Sequence, residues 1–151
     1  MVATAQDNFK GMLRECVSPA LRAEGFKGSA GIYYLPSDSH WVGIGFQRHQ
    51  VVCTAQRIKF TINLKVISRT AWEQARQEAM GSFSEHSLPE KPSPNVCDEG
   101  WWRIGKVMPD RLDRWWWLRA DEDFHPVAEE VVSALRTWGF PSLKAELRVL
   151  V

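Results

Sequence analysis

The sequence predicts a single α+β domain of 151 residues, in which helices pack on one face of a mainly antiparallel sheet of about five strands. Three observations lead to this fold class. Residues 56–68 alternate between apolar and polar side chains, both ends of the chain carry apolar residues at intervals of three and four, and two aromatic-rich segments are interrupted by turn residues. The predicted order is helix, three strands, helix, two strands and two helices.

The long strand at residues 56–68 is the most regular segment. Its even positions from Ile58 to Val66 are apolar, and the odd positions between them are polar. Because successive side chains of a strand point to opposite faces, one sheet face is expected under the helices and the other open to solvent or a ligand. The functional hypothesis below depends on this phase.

The first helix is predicted from an apolar stripe between Phe9 and Leu21. Thr4 is its expected N-cap, and Gly25 is its expected end. Pro19 lies inside the stripe and has no backbone donor, so a kink is expected near residues 17–18.

The other helices are predicted from caps and stripes. Thr70 and Glu73 form a capping box that opens a short second helix. An apolar stripe at residues 127–138 predicts a third helix that ends at Gly139, because Pro141 cannot continue it; a short final helix follows.

Two hairpins and one loop complete the prediction. Residues 32–35 and 41–49 form the first hairpin, and residues 101–107 and 115–118 form the second. Three prolines among polar residues make residues 82–100 an exposed, partly mobile loop, which either covers a site or is simply slack.

Composition restricts the class of partner only weakly. The 19 basic and 18 acidic side chains give a formal charge of +1, which does not favour nucleic acid or an anionic membrane. No membrane segment or targeting signal is predicted. The three cysteines, Cys16, Cys53 and Cys97, are widely spaced, so reduced thiols and a cytoplasmic location are expected.

The sequence offers no catalytic residue, metal site or cofactor site, and the interpretation leans towards a non-enzymatic protein. The four histidines lack the spacing of a metal site. Cys97 and His86 share a loop that cannot fix their geometry. Cys53 and His49 are separated by about 13 Å along a strand, too far for proton transfer unless the strand ends between them.

Six short motifs occur in an order that resembles the bacterial family DUF4304, whose activity is uncharacterised. They are Gly25-Phe26, Phe46-Gln47, Phe60-Thr61-Ile62-Asn63-Leu64, Arg103-Ile104-Gly105, Trp116-Trp117-Leu118 and Gly139-Phe140-Pro141. The chain departs from the pattern at Lys65, where a glycine is expected. The resemblance implies a single-domain cytoplasmic protein and supplies no catalytic residue.

The candidate binding surface is the polar face of the sheet, flanked by some of the eight tryptophans. Its predicted ligand- or partner-binding residues are Gln47, His49, Thr61, Asn63, Arg103, Trp101, Trp115 and Trp117. Amide, guanidinium and indole groups suit recognition of a protein or small molecule. The same residues would also make ordinary cross-strand pairs on a solvated surface that binds nothing.

The preferred hypothesis is a non-enzymatic binding module, with an immunity or accessory protein of a toxin or defence locus as one concrete form. The alternative is a small enzyme or small-molecule-binding protein with a pocket between this face and the 82–100 loop. A deep cavity would favour the alternative, and a flat face with exposed indoles would favour a protein partner. As surface residues, Asn63 and Arg103 are expected to tolerate alanine within about 1 kcal/mol.

Overall fold

An antiparallel sheet lies at the centre of the structure, a computed structural model that describes residues 3–78 and 100–149. In this part of the chain the sheet has six strands: β1 (Lys27–Ser29), β2 (Ile32–Leu35), β3 (His40–Arg48), β4 (Arg57–Ser68), β5 (Trp101–Arg103) and β6 (Trp116–Arg119). Their order is β1-β2-β3-β4, with β5 and β6 both paired to the far edge of β4. The predicted α+β class is confirmed, and β1 is an addition to it.

The central strand β4 has the predicted phase. Its even-numbered side chains from Ile58 to Val66 are buried in the core. Phe60 lies among three other rings, with centroids 5.2 Å from Phe9, 6.0 Å from Phe46 and 5.8 Å from Trp116. The apolar face of the sheet therefore lies under the helices, as the alternation predicted.

The predicted second hairpin is wrong, because β5 and β6 do not pair with each other. Each pairs antiparallel with β4, and they lie end to end along the same edge. A 3₁₀ turn at Ile104–Val107 begins the connection between them. The 12-residue β4 is long enough to hydrogen-bond both short strands, one after the other. This arrangement pairs more of the backbone N–H and C=O groups on the edge of β4 than an independent hairpin would.

The first helical arm has three parts: α1 (Ala5–Met12), a π-helical segment (Leu13–Val17) and α2 (Ser18–Ala23). Thr4 caps α1 together with Asp7, as each side chain accepts the other's backbone N–H. The kink expected from Pro19 takes the form of the π-helical segment. Gly25 ends the arm with φ of 95°.

The C-terminal arm has the same construction: α4 (His125–Ala134), a π-helical segment (Leu135–Gly139) and α5 (Phe140–Val149). The predicted end at Gly139 is therefore wrong. The N–H of Phe140 reaches back five residues to the carbonyl of Leu135, so the chain passes Pro141 without leaving the helix. In both arms, a π-helical turn ends two residues before the proline. The helix can therefore continue although the proline has no backbone N–H to donate.

The short helix α3 (Arg69–Glu78) follows β4 directly. Ser68 accepts the N–H of Ala71 at 3.0 Å and caps it, so the predicted cap at Thr70 is wrong by two positions. Apart from Gly100, the predicted loop at 82–100 lies outside the described residues. Within those residues, no helix is long and apolar enough to cross a membrane.

Candidate functional site

The polar face of β4 has neighbours on both sides. Strand register places Thr61 opposite Gln47 of β3, and Asn63 opposite Arg103 of β5. Register also places Trp117 of β6 opposite Lys59. The predicted binding residues are therefore brought to one face by strands that are far apart in the chain.

The centre of this face is buried, which corrects the expectation that it is open to solvent. Thr61 is 0 % exposed and Asn63 is 1 % exposed. The connection between β5 and β6 lies over Thr61, which donates to the carbonyl of Arg114 at 2.6 Å. The ring of Trp72 in α3 lies 4.3 Å from the buried ammonium of Lys65 on the same face. Thr61 and Asn63 therefore have almost no surface that a ligand could contact.

Asn63 has a structural role at this buried centre. Its Nδ2 donates to Oε1 of Gln47 at 2.9 Å. Its Oδ1 is buried and has no hydrogen-bond partner among the described residues. The pair therefore ties β4 to β3 and orients the half-buried Gln47.

The part of the face that is still accessible to solvent is a row of exposed and half-buried side chains in which cations and indoles alternate, here called the cation-aromatic row. Its members are Arg57, Trp117, Lys59, Trp115 and Arg103. The distances from each cation to the neighbouring ring centroid, taken along the row, are 5.2, 5.6, 5.4 and 5.0 Å. All are within the range in which a cation is attracted to an aromatic face.

One carboxylate fixes the Arg103 end of the row. Oδ2 of Asp113 accepts from Nη1 of Arg103 at 2.7 Å and from Nε1 of Trp115 at 2.8 Å. The imidazole of His49 packs edge-on against Trp115, with centroids 5.4 Å apart. These contacts hold Trp115 and Arg103 in place before any ligand arrives.

The other end of the row is more open. Trp117 is 37 % exposed, and Arg57 is also exposed. Among the described residues, no carboxylate forms an ion pair with Arg57 or Lys59. Two positive charges therefore stand beside a large apolar ring, and no carboxylate in residues 3–78 or 100–149 neutralises them.

Trp101, the remaining predicted residue, lies further along the face, opposite Lys65. It borders a cavity of about 490 Å³ at the sheet edge, lined by Trp101, Trp102, Arg103, Lys106, Arg111 and Asp113. Arg103 is common to this cavity and the row. The structure thus groups Trp115 and Trp117 together and places Trp101 apart from them.

Sequence reasoning missed three members of this site: Arg57, Lys59 and Asp113. The signal for the first two was present, since both occupy odd positions of the long strand, on the polar face. Asp113 belongs to the connection that follows β5, and no local pattern connects it with Arg103. Its role depends on how that connection folds back.

Neither the metal nor the nucleophile chemistry that was considered finds support in the described residues. No group of three His, Cys, Asp or Glu side chains is close enough there to hold a metal ion. His49 accepts the N–H of Val51 at 3.2 Å, and the thiol of Cys53 donates to the carbonyl of Lys59 at 3.6 Å. Both side chains are thus engaged with backbone groups. Cys97 and His86 lie outside the described residues.

A comparison with known families gives the assignment. The model of a domain of unknown function, DUF4304, matches residues 17–145. The chain belongs to the DUF4304 family. The match spans all six strands of this DUF4304 chain, so the row lies within the part that the family shares. No curated protein and no solved structure matches the DUF4304 chain.

Proposed function

We propose that this protein is a non-enzymatic binding module whose cation-aromatic row holds an acidic segment of a partner protein. The observation that carries the proposal is the pair Arg57 and Lys59. Each lies beside an indole ring, and neither forms an ion pair with a described carboxylate. An acidic partner would supply the missing charge through charge-assisted hydrogen bonds.

The indoles give the row a second contribution to recognition. Trp117 offers a rigid apolar surface that loses little side-chain entropy when it is covered, and tryptophan is enriched where binding energy concentrates. The contacts of Asp113 pre-order Trp115 and Arg103, which lowers the entropic cost of binding. A partner with carboxylates spaced beside an apolar side chain fits this arrangement.

An immunity or accessory protein of a bacterial toxin or defence locus remains one concrete form of this module. A cytoplasmic location belongs to the same proposal, and the free thiols of Cys16 and Cys53 are in keeping with a reducing compartment.

The proposal is tested by purifying tagged protein from its native cell and identifying bound proteins by mass spectrometry. The variants are Lys59→Glu and Trp117→Ala, and the control is Arg136→Glu, an exposed cation on the helical side. We expect one partner to be retained by wild type and control and lost from both row variants. In a purified pair, Lys59→Glu is expected to weaken binding about tenfold or more, with a strong dependence on salt. Equal retention by all four proteins would refute the row as the binding surface.

The cavity of about 490 Å³ beside Arg103 favours a second candidate, a small-molecule-binding protein or small enzyme. Its aromatic and cationic lining has the character of a ligand pocket. The loop expected to close that pocket lies outside the described residues. Native mass spectrometry of freshly purified protein distinguishes the candidates, because a bound small molecule that is lost in Arg103→Ala would support the pocket.

A further inference from the structure

A separate cavity of about 350 Å³ lies at the other end of β3, beside the turn that joins it to β2. Its lining includes Tyr34, Ser37, Asp38, His40, Trp41 and Arg69. The eight steps along the chain from Trp41 to His49, which follows the end of β3, correspond to about 26 Å of extended backbone, so this cavity is distinct from the cation-aromatic row.

The wall of the cavity is held by hydrogen bonds between the turn and the start of α3. Arg69 donates its backbone N–H to the carbonyl of Ser39 at 2.9 Å and its Nη2 to the carbonyl of Ser37 at 2.7 Å. The hydroxyl of Ser37 also accepts the N–H of His40 at 3.2 Å. The guanidinium carbon of Arg69 lies 3.8 Å from the centroid of the Trp41 ring. The cation is therefore fixed in front of an aromatic surface.

Two ring nitrogens in this lining are shielded from water and have no partner among the described residues: Nε2 of His40 and Nε1 of Trp41. His40 is only 5 % exposed, and its Nδ1 lies 2.7 Å from the hydroxyl of Ser39. Buried polar groups are nearly always hydrogen-bonded, since an unpaired one is costly in a low-dielectric interior. His40 and Trp41 are successive residues of β3, so their side chains leave opposite faces of the sheet, and a ligand on the Trp41 side would reach Nε1 of Trp41 but not Nε2 of His40. An acceptor at Nε1 of Trp41 would remove the cost there.

We propose that this cavity binds the carboxylate of a small, flat organic acid. The indole N–H of Trp41 and the guanidinium of Arg69 are donors only. A carboxylate would give the indole N–H of Trp41 the acceptor that no described residue supplies, and it would lie beside the charge of Arg69.

The charge and the shape of the cavity lining restrict which kind of anion would bind. Among the described residues of the lining, Arg69 is the only Lys or Arg and Asp38 the only Asp or Glu, a balance that disfavours a dianionic phosphate and suits a monoanion. Tyr34 is 38 % exposed and lines the same cavity as Trp41, so both can offer an aromatic surface to a planar ligand body. An aromatic carboxylate satisfies the donors, the charge and the shape together.

The test is a two-dimensional ¹H–¹⁵N NMR titration with benzoate, in which the indole signal of Trp41 is assigned from Trp41→Phe. We expect a saturable shift of that signal with a Kd of about 1 mM or lower. Arg69→Gln is expected to weaken binding about tenfold, because it removes the charged donor. Arg14→Gln, an exposed arginine elsewhere, and Lys59→Glu in the row should leave the Kd unchanged.

Ligand controls complete the experiment. Benzyl alcohol tests the aromatic surface without the anion, and inorganic phosphate tests the anion without the ring; neither is expected to shift the Trp41 signal in a saturable way. Equal shifts with either compound, no saturation with benzoate, or an unchanged Kd in Arg69→Gln would overturn the proposal. If Arg69→Gln loses its folded spectrum, Arg69→Lys replaces it, and a smaller but measurable weakening is expected, because lysine keeps the charge and loses the planar fork. A loss of partner binding in the row variants leaves this result unaffected.

Discussion

Nδ2 of Asn63 donates to Oε1 of Gln47 at 2.9 Å, across the buried centre of the sheet. This contact places a residue expected at the surface inside the protein. It changes the expected consequence of mutating that residue, and with it the interpretation of the whole face.

Asn63→Ala is expected to lower the free energy of unfolding by about 1–3 kcal/mol, because it deprives Gln47 of its donor and leaves a space in a covered layer. This replaces the limit of about 1 kcal/mol that a surface position implied. Denaturant titration of Asn63→Ala, Gln47→Ala and the double variant isolates the pair. A coupling energy of about 1 kcal/mol is expected, and strict additivity would show that the contact contributes nothing.

Phe60→Ala is expected to lower the free energy of unfolding by about 3–5 kcal/mol, because it removes a fully buried ring that three other aromatic rings contact. Trp117→Ala is the matched aromatic control. Its ring is more than a third exposed, so a change of about 1 kcal/mol or less is expected. Chemical denaturation measures both, and similar losses in the two variants would contradict the assigned core.

Gly105→Ala is expected to destabilise the protein by about 1–3 kcal/mol through overpacking. A Cβ at this position would overlap the carbonyl of Leu112 and lie 2.7 Å from the backbone nitrogen of Arg114. Both are backbone atoms, so the connection over Thr61 must move. Gly11→Ala is the control: the three atoms nearest to its Cβ all belong to the side chain of Phe124 and not to backbone, and alanine favours the helix. Thermal unfolding measures both variants, and a lower melting temperature for Gly11→Ala than for Gly105→Ala would contradict this packing.

The pair His125 and Asp123 gives a prediction on pH. Nδ1 of His125 lies 2.6 Å from Oδ1 of Asp123, and this hydrogen bond raises the pKa of His125 above 6.5 and lowers the pKa of Asp123 below 3.8. The histidine contribution to stability is present below pH 6.5 and is lost as pH rises through the higher folded pKa. The aspartate contribution is present above pH 3.8 and is lost as pH falls through the lower folded pKa. Both are therefore present between pH 3.8 and 6.5.

Asp123→Asn is expected to shift the pKa of His125 down towards 6.5, because the amide cannot stabilise the imidazolium as a carboxylate does. NMR titration of the imidazole protons measures the shift. Asp121→Asn removes a neighbouring carboxylate that does not contact the ring and should leave the pKa in place. An unchanged pKa in Asp123→Asn would show that the hydrogen bond does not form in solution.

Local patterns predicted those features that depend on residues close in sequence. Thr4, Gly25 and Pro19 act on groups within about five positions, so the cap, the helix end and the interruption were all foreseen. The same reasoning was wrong at Gly139. Proline forbids an α-helical hydrogen bond, but a π-helical turn offers another route that the packed arm adopts.

The candidate site was predicted in part. Alternation placed Gln47, Thr61 and Asn63 on one face, and the structure confirms that grouping. The alternation did not predict that the hydrogen-bond acceptor of Thr61 lies 53 positions away in the chain, in the connection that covers the face. Whether this face binds a partner stays a prediction.

By itself, the sequence determined the fold class, the phase of the long strand and the family, because a period of two and a run of short motifs are properties of neighbouring residues. Only the tertiary structure decided that β5 and β6 share one edge of β4 and that Asn63 is covered while Trp117 is exposed. The physical reason is that burial of a polar side chain depends on which distant segments supply its hydrogen bonds and exclude its water.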